Sequence, residues 1–445
     1  MERDVIEIST HDKRAERAIG QMPSPFETAA AVVQSLYQNG VRHAIISPGS
    51  RSTPLTLAFA YHPGISKKIV LDERSAAFIA LGIGKQSGSP AVLVCTSGTA
   101  AANYFPAIAE AKQAGVPMVV LTADRPPNLR GIGSSQTIDQ VKLYGDYAVF
   151  FHEAGEPGND ERDMARIRFA ARQAVTESLR KGGAAHINFP FRKPLEPSNA
   201  EIGRARSYFQ EHVGEISPSA NTFSRQITLS EKLSDLINQS GRPLIIAGPA
   251  NKHQANTSTA IGLAEKLNAP IIAEPGSRVG HHPLRVHRYE QFLRNDSARD
   301  SLKPDIILRF GDQPFTKSVL NSMESWKKVP TIQFSGRQAW QDHQMSSGWN
   351  IELHQNDRLD LDSLESKDSG YSVQWKNADS DAEGLLNDTL NNADLLCDGH
   401  IFHHISKNIP PDWNLVLSNS LPVRDAALFG NPGQNINVNR GAAGI

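Results

Sequence analysis

The feature that most constrains this chain is a series of short apolar stretches, each followed by a helical pattern. His43-Ala-Ile-Ile46, Ala91-Val-Leu-Val94, Pro117-Met-Val-Val-Leu121 and Ala185-His-Ile-Asn-Phe189 have strand length and little of the alternation that a half-solvated strand shows. Strands of that kind are covered on both faces, which means a parallel sheet with crossover helices. The intervening segments fit. Ser24-Pro25-Phe26-Glu27 reads as a helix start: Ser24 caps, Pro25 suits the first helical position and Glu27 completes a capping box. Phe26, Ala29, Ala30, Val33, Leu36 and Tyr37 then keep the helical period, and Asn39-Gly40 ends it. Helices over 100–114 and 164–181 complete a first α/β unit, residues 24–197, behind a flexible N-terminal stretch, 1–23.

Residues 198–225 are polar and turn-rich, and predict a linker. A second α/β unit over 226–354 has strands at Pro243–Ala247, Pro270–Ala273, Asp305–Leu308 and Thr331–Phe334, with a helix at 258–267. Residues 355–393, rich in Asp, Asn, Ser and Glu, predict a solvated connection with short helical pieces. A third unit, 394–445, offers a helix at 400–407 and strands at Leu415–Leu417 and Ile436–Val438. Two strands and about fifty residues are too few for an independent α/β core. The third unit is therefore expected to be truncated, or to borrow a surface from a partner chain. The fold class is α/β, in three domains, with parallel sheets covered by helices on both faces.

Charge narrows the partners. Lys and Arg number 46 against 47 Asp and Glu, a formal net of −1, which gives no support to a nucleic-acid or anionic-membrane partner. The two cysteines, Cys95 and Cys397, lack metal-type spacing, so a reduced, cytoplasmic setting is expected. Residues 1–23 are mixed in charge, without the apolar core of a secretory signal, and no apolar run is long enough to cross a bilayer.

Open parallel sheets bind ligands at the carboxyl ends of their strands. Four turns of the first unit stand there: Ser47–Thr53, Asp72–Arg74, Thr96–Thr99 and Asp124–Pro127. None matches a dinucleotide fingerprint or a phosphate P-loop. Glu73 lies between Ile69-Val-Leu71, read as the end of a buried strand, and the run Ala76–Gly84, apolar almost all round and so a buried helix. A carboxylate so placed is poorly hydrated and costly without a partner, and buried carboxylates cluster at functional sites. The other reading of Glu73 is an acidic residue favoured by the helix dipole. Ser50, Ser52 and Thr53 serve equally as helix caps. Arg51 and Arg125 sit at the ligand-binding edge, where arginine suits bidentate recognition of carboxylate or phosphate. For Arg125 the alternative is an ion pair with Asp124. Arg424 and Arg440 repeat the pattern in the third unit, and four arginines at strand ends point to a small polyanionic substrate. The histidines offer no ligand geometry: His403 and His404, adjacent on a helix, project about 100° apart.

Together the residues carry a resemblance. Ser-Pro-Gly-Ser-Arg-Ser-Thr-Pro (47–54), Asp-Glu-Arg (72–74), Cys-Thr-Ser-Gly-Thr (95–99), Thr-Ala-Asp-Arg-Pro-Pro (122–127) and Asn-Arg-Gly-Ala-Ala-Gly-Ile (439–445) resemble, in order, the motifs of a thiamine-diphosphate enzyme family of menaquinone biosynthesis. That family is 2-succinyl-5-enolpyruvyl-6-hydroxy-3-cyclohexene-1-carboxylate synthase. The resemblance implies an N-terminal pyrimidine-binding domain, a central domain without cofactor contact and a C-terminal diphosphate-binding domain. It implies that Glu73 sits beside N1′ of the aminopyrimidine and favours the imino tautomer that releases the thiazolium C2 proton. It further implies decarboxylation of 2-oxoglutarate and addition of the resulting carbanion to isochorismate.

Ser50, Arg51, Arg125, Gln136, Lys317, Ser420, Arg424 and Arg440 are the implied substrate contacts; for Gln136 and Lys317, outside the five motifs, the alternative is an exposed loop residue. A homodimer or homotetramer is implied, with the site between subunits. The family's magnesium (or manganese) site, a Gly-Asp pair and a downstream Asn, is expected beyond Ile445, so no metal ligand is assigned here. Gly311-Asp312 reads as a strand-end turn. Two rivals stay open: another thiamine-diphosphate 2-oxoacid lyase or carboligase, and a non-catalytic fragment that keeps the substrate pocket.

Overall fold

Six strands form the first sheet: β1 (His43–Ile46), β2 (Ser66–Ile69), β3 (Ala91–Cys95), β4 (Met118–Asp124), β5 (Ala148–Glu153) and β6 (Ala184–Pro190). The computed structural model that shows them describes residues 24–156, 161–214, 224–252, 256–336, 341–354, 356–368, 370–410, 412–430, 435–439 and 441–442; the expected N-terminal stretch 1–23 and Arg440 lie outside these. The strand order is β2-β1-β3-β4-β6-β5 and every pairing is parallel. Strands β3, β4 and β6 are buried at every position, as their unbroken apolar runs require.

Alternate side chains feed two cores. Val92, Val94, Val119, Leu121, Ala185 and Ile187 face α1 (Pro25–Gln38), α2 (Thr53–Tyr61), α6 (Glu161–Lys181) and α7 (Asn199–His212). Leu93, Cys95, Met118 and Val120 face α3 (Glu73–Ser87), α4 (Thr99–Asn103) and α5 (Phe105–Ala114). The predicted start of α1 is present: Ser24 Oγ accepts the Glu27 N–H at 3.2 Å and the Glu27 carboxylate accepts the Ser24 N–H at 3.1 Å. The single helix expected over 100–114 is two, because Pro106 has no N–H to donate to the preceding turn.

Three expectations are corrected in this unit. Strand β2 is an edge strand, exposed throughout, and Ile69 and Leu71 are 57% and 80% exposed, so Ile69–Leu71 is not the end of a buried strand. The lysines at 67 and 68 are the edge signal that its apolar end concealed. The stretch read as a linker, 198–225, contains α7, which buries Ala205 and Phe209 against the first core. Its signal was a second capping box, Ser198 with Glu201, set among polar residues. Strand β5 was not anticipated; it is a partly buried edge strand with weak turn signals before it.

The second sheet comprises β8 (Pro243–Ala247), β9 (Ile271–Ala273), β10 (Arg285–Val286), β11 (Ile306–Phe310), β12 (Thr331–Ser335) and β13 (Ser347–Glu352), ordered β10-β9-β8-β11-β12-β13 and parallel throughout. A small parallel pair, β7 (Gln226–Ile227) with β14 (Arg358–Leu359), flanks it. At the carboxyl ends of β8 and β11 the Gly248 and Gly311 backbones touch, so that a Cβ on either would overlap main-chain oxygen. The connection expected over 355–393 holds one helix of 21 residues, Tyr371–Asn391, not short pieces. Its buried residues, Tyr371, Trp375, Ala382, Leu386 and Leu390, form a sparse stripe at helical spacing that a polar composition hides.

The third unit has β15 (Asn414–Val416) paired in parallel with β16 (Asn435–Asn437), and helices Asp398–Asn408 and Leu421–Phe429. Its small cluster, Leu417, Val423, Ala426, Ile436 and Val438, takes Phe315 of the second unit as a packing surface. Among the described residues no helix is long and apolar enough to cross a membrane.

Candidate active site

The first sheet changes direction between β1 and β3, and the crevice at their carboxyl ends is the natural ligand position. The two turns that line it are pressed together: the Ser47 N–H donates to the Val94 carbonyl at 2.9 Å, and a Cβ on Gly49 would overlap the Thr96 side chain. Ser50 to Ser52 then form a 3-10 turn into α2, in which the Ser52 hydroxyl donates to the Gly49 carbonyl at 2.9 Å. The Ser52 hydroxyl is thus engaged within the turn and makes no capping bond to α2, whereas Ser50 is exposed.

Arg51 is buried. Its Nη1 donates to the Phe191 carbonyl, just past β6, at 2.8 Å, while its buried Nε has no partner among the described residues. Burial lowers its pKa, and Arg125 lowers it further against the opposing pull of Asp124. A buried guanidinium beside a second one, with donor capacity in reserve, favours an anion. Arg125 donates to Ser97 Oγ and to the Ser135 carbonyl, both at 3.2 Å. Gln136, in the left-handed region at φ 53°, donates through Nε2 to the Ser97 carbonyl at 3.0 Å and accepts the Ser97 hydroxyl at 3.1 Å. Gln136 is exposed yet fixed, and Ser97 joins it to Arg125.

Arg125 does not form the ion pair considered for it. Asp124 accepts only its main-chain N–H, at 2.6 Å; the cation on Asp124 is Arg130, at 2.7 Å. Arg130 also meets Glu153 at 2.8 Å and donates from Nε to the Arg125 carbonyl at 3.0 Å. Asn188 donates to both carboxylates, to Asp124 at 3.0 Å and Glu153 at 2.8 Å. Its Oδ1 accepts the Thr122 hydroxyl at 2.7 Å and Gln140 Nε2 at 3.0 Å, and Gln140 Oε1 accepts the Gly98 N–H at 2.9 Å. His186 Nε2 completes the chain at Thr122, 2.7 Å away, and burial depresses its pKa to about 3, so the ring is neutral. Burial pushes the Asp124 carboxyl up, with Asn188 and Arg130 pulling it back. Sequence reasoning missed this network; the one available signal was polar residues inside otherwise apolar strands (Thr122, Asp124, His186, Asn188), each of which needs a buried partner.

Glu73 opens α3 at the end of β2. Asp72 caps the helix by accepting the Ser75 N–H at 2.7 Å, which leaves the Glu73 carboxylate free of that duty. Glu73 is half-buried in the single chain, less enclosed than its apolar neighbours implied, because β2 is exposed. Its charge reaches Cys95 at the end of β3: burial above all, then Glu73, raises the Cys95 thiol pKa.

The structure therefore gathers Arg125 and Gln136 about Ser97, with Arg51 beside Arg125 and with Ser50 and Glu73 at neighbouring strand ends. The other candidates lie elsewhere. Ser420, at φ 72°, and Arg424 are exposed at the start of helix Leu421–Phe429, past β15, where Asn419 Nδ2 donates to the Asn439 carbonyl. Arg440 follows directly in sequence but is outside the described residues. Lys317 is exposed in the first turn of helix Lys317–Ser325, two residues beyond Phe315. Gly311-Asp312 is a strand-end turn, with the Asp312 N–H donated to the Pro249 carbonyl at 2.8 Å. Among the described residues no three His, Cys, Asp or Glu side chains gather as a metal site.

Comparison with known proteins agrees with this geometry. Residues 26–143 match the family described as thiamine pyrophosphate enzyme, N-terminal TPP binding domain. That match, on an α/β unit with a parallel sheet, marks a thiamine-diphosphate-dependent enzyme. Over 94% of its length the chain is 37% identical to a curated 2-succinyl-5-enolpyruvyl-6-hydroxy-3-cyclohexene-1-carboxylate synthase of Desulfitobacterium hafniense, of which it spans 74%. Synthases of the same name from Haloquadratum walsbyi and Listeria monocytogenes are 35% and 32% identical over 94% of the chain, which spans 74% and 73% of them. The chain belongs to the 2-succinyl-5-enolpyruvyl-6-hydroxy-3-cyclohexene-1-carboxylate synthase family.

Proposed function

We propose that this enzyme decarboxylates 2-oxoglutarate and joins the remaining four-carbon unit to isochorismate, in menaquinone biosynthesis. The observation that carries the substrate reading is Arg51, buried with Nε unpartnered beside Arg125. Each substrate bears two carboxylates, and arginine pairs of this kind match them. In this reading Ser50, Arg51, Arg125, Gln136, Lys317, Ser420, Arg424 and Arg440 contact substrate.

The pyrimidine end of thiamine diphosphate fits the first unit, because Glu73 stands at the crevice with its carboxylate not used as the helix cap. Bound there, the cofactor supplies a nucleophilic carbon and an electron sink. Glu73 holds a proton at a pyrimidine ring nitrogen, and the neighbouring apolar surface excludes water once covered. Among the described residues no three His, Cys, Asp or Glu side chains gather to hold magnesium or manganese. The reading includes a homodimer or homotetramer in the cytoplasm, with the site between subunits.

Calorimetry of thiamine diphosphate with magnesium tests the role of Glu73. Glu73→Gln exchanges a charge-assisted hydrogen bond for a neutral one, so affinity falls by about tenfold. Equal affinity in the two proteins overturns the assignment. Carbon dioxide release from 2-oxoglutarate but not from pyruvate separates this reading from other thiamine-diphosphate lyases.

A further inference from the structure

The three units meet at a junction far from the crevice, and Arg278 stands in it. Arg278 belongs to the turn after β9 and adopts φ 63°, left-handed backbone that a side chain tolerates only where its surroundings hold it. Its Nε donates to the Ala250 carbonyl of the second unit at 3.1 Å. Its Nη2 lies 3.2 Å from the Lys85 carbonyl and 3.3 Å from Gln86 Oε1, both at the end of α3, and 3.3 Å from Asn437 Oδ1 on β16. One guanidinium thus touches all three units.

Other contacts converge on the same place. Lys85 Nζ donates to the Val438 carbonyl, and Gln86 Nε2 to Asn414 Oδ1 at 2.9 Å. Asn251 Nδ2 holds the last carbonyls of α5, Ala114 and Gly115, at 2.9 and 3.1 Å. The buried Glu110 carboxylate accepts the N–H groups of Gly441 and Ala442 at 2.7 and 2.6 Å, and a Cβ on Gly441 would overlap the Ala114 backbone.

The helix gripped at Lys85 and Gln86 carries Glu73 at its other end. We infer that Arg278 is a positioning residue that fixes α3, and with it Glu73, against the strand β16 that leads to Arg440, with Glu110 as the second clamp. Its consequence for catalysis rests on the role proposed for Glu73; the coupling of the units does not. A subunit whose first and third units are held in fixed relation presents both halves of a site in register for a second copy. The α3 helix spans about 22 Å at about 1.5 Å per residue, so a small tilt at Arg278 moves Glu73 appreciably.

Hydrogen–deuterium exchange on the full chain tests this without cofactor. In Arg278→Ala, exchange rises at least tenfold both at 435–439 and along α3 as far as residues 73–78, while β4 is unchanged. Arg278→Lys, which keeps one donor group, restores part of that protection. Asn437→Ala raises exchange at 435–439 and leaves α3 protected, since the Lys85 and Gln86 contacts remain. A rise confined to 274–280, one that stops short of the first turn of α3, or a uniform rise in every segment overturns the inference. Unaltered exchange in α3 together with lost cofactor affinity in Glu73→Gln would reject the coupling and leave the proposed function intact.

Discussion

Arg51 combines burial, a single main-chain partner and a neighbouring arginine, a combination that lowers stability until an anion arrives. Its replacement by methionine, similar in volume and uncharged, is expected to raise the melting temperature while weakening 2-oxoglutarate binding by tenfold or more, about 1.4 kcal/mol or above. Calorimetric titration and thermal unfolding of Arg51→Met check both halves, and a variant that loses stability along with affinity refutes the account. A second residue makes a pH prediction. Glu274, at the end of β9, is wholly buried, and burial raises its pKa to about 7 against the pull of the Thr316 hydroxyl and the Phe315 and Thr316 N–H groups. A carboxyl raised in the folded state adds stability below its unfolded pKa and loses it as pH climbs through the folded value. Between pH 4.5 and about 7 the native protein should therefore lose about 3 kcal/mol relative to Glu274→Gln. Parallel stability profiles for the two proteins would contradict this.

Among the elements, those easiest to read were the ones whose sequence and burial agree. Strands β3 and β4 are apolar because both faces are covered, and α1 announces itself by cap and period. The misread elements are those in which a few buried residues do the anchoring. Helix α7 docks through Ala205 and Phe209, and helix Tyr371–Asn391 through Tyr371 and Trp375 at its first turns, with polar residues between. Truncating Phe209 to alanine should cost about 3–5 kcal/mol, seen as early unfolding of the first unit, whereas a true linker would tolerate the change. The site shows the same division. Residues in strand-end turns were legible because topology places them at the crevice. The Arg130, Asn188 and Gln140 network was not, since its members are distant in sequence and meet only once β4, β5 and β6 are aligned.

At the scale of the molecule, the exposed apolar residues near Glu73 bear on assembly. Ile69, at the end of edge strand β2, and Leu71, 80% exposed in the turn that follows it, flank the proposed cofactor position. If copies of the chain meet there, Leu71→Asp should dissociate the oligomer in sedimentation analysis, and an unchanged sedimentation coefficient would place the interface elsewhere. The second sheet has the same parallel design but a different fate. Where its topology would open a crevice, the Gly248 and Gly311 backbones are in contact, and only a small cavity lined by Ala247, Asn256 and Phe310 is left beside them. A ligand entering there would meet peptide oxygens at Gly248 and Pro249, whereas the turns of the first sheet offer guanidinium donors from Arg51 and Arg125.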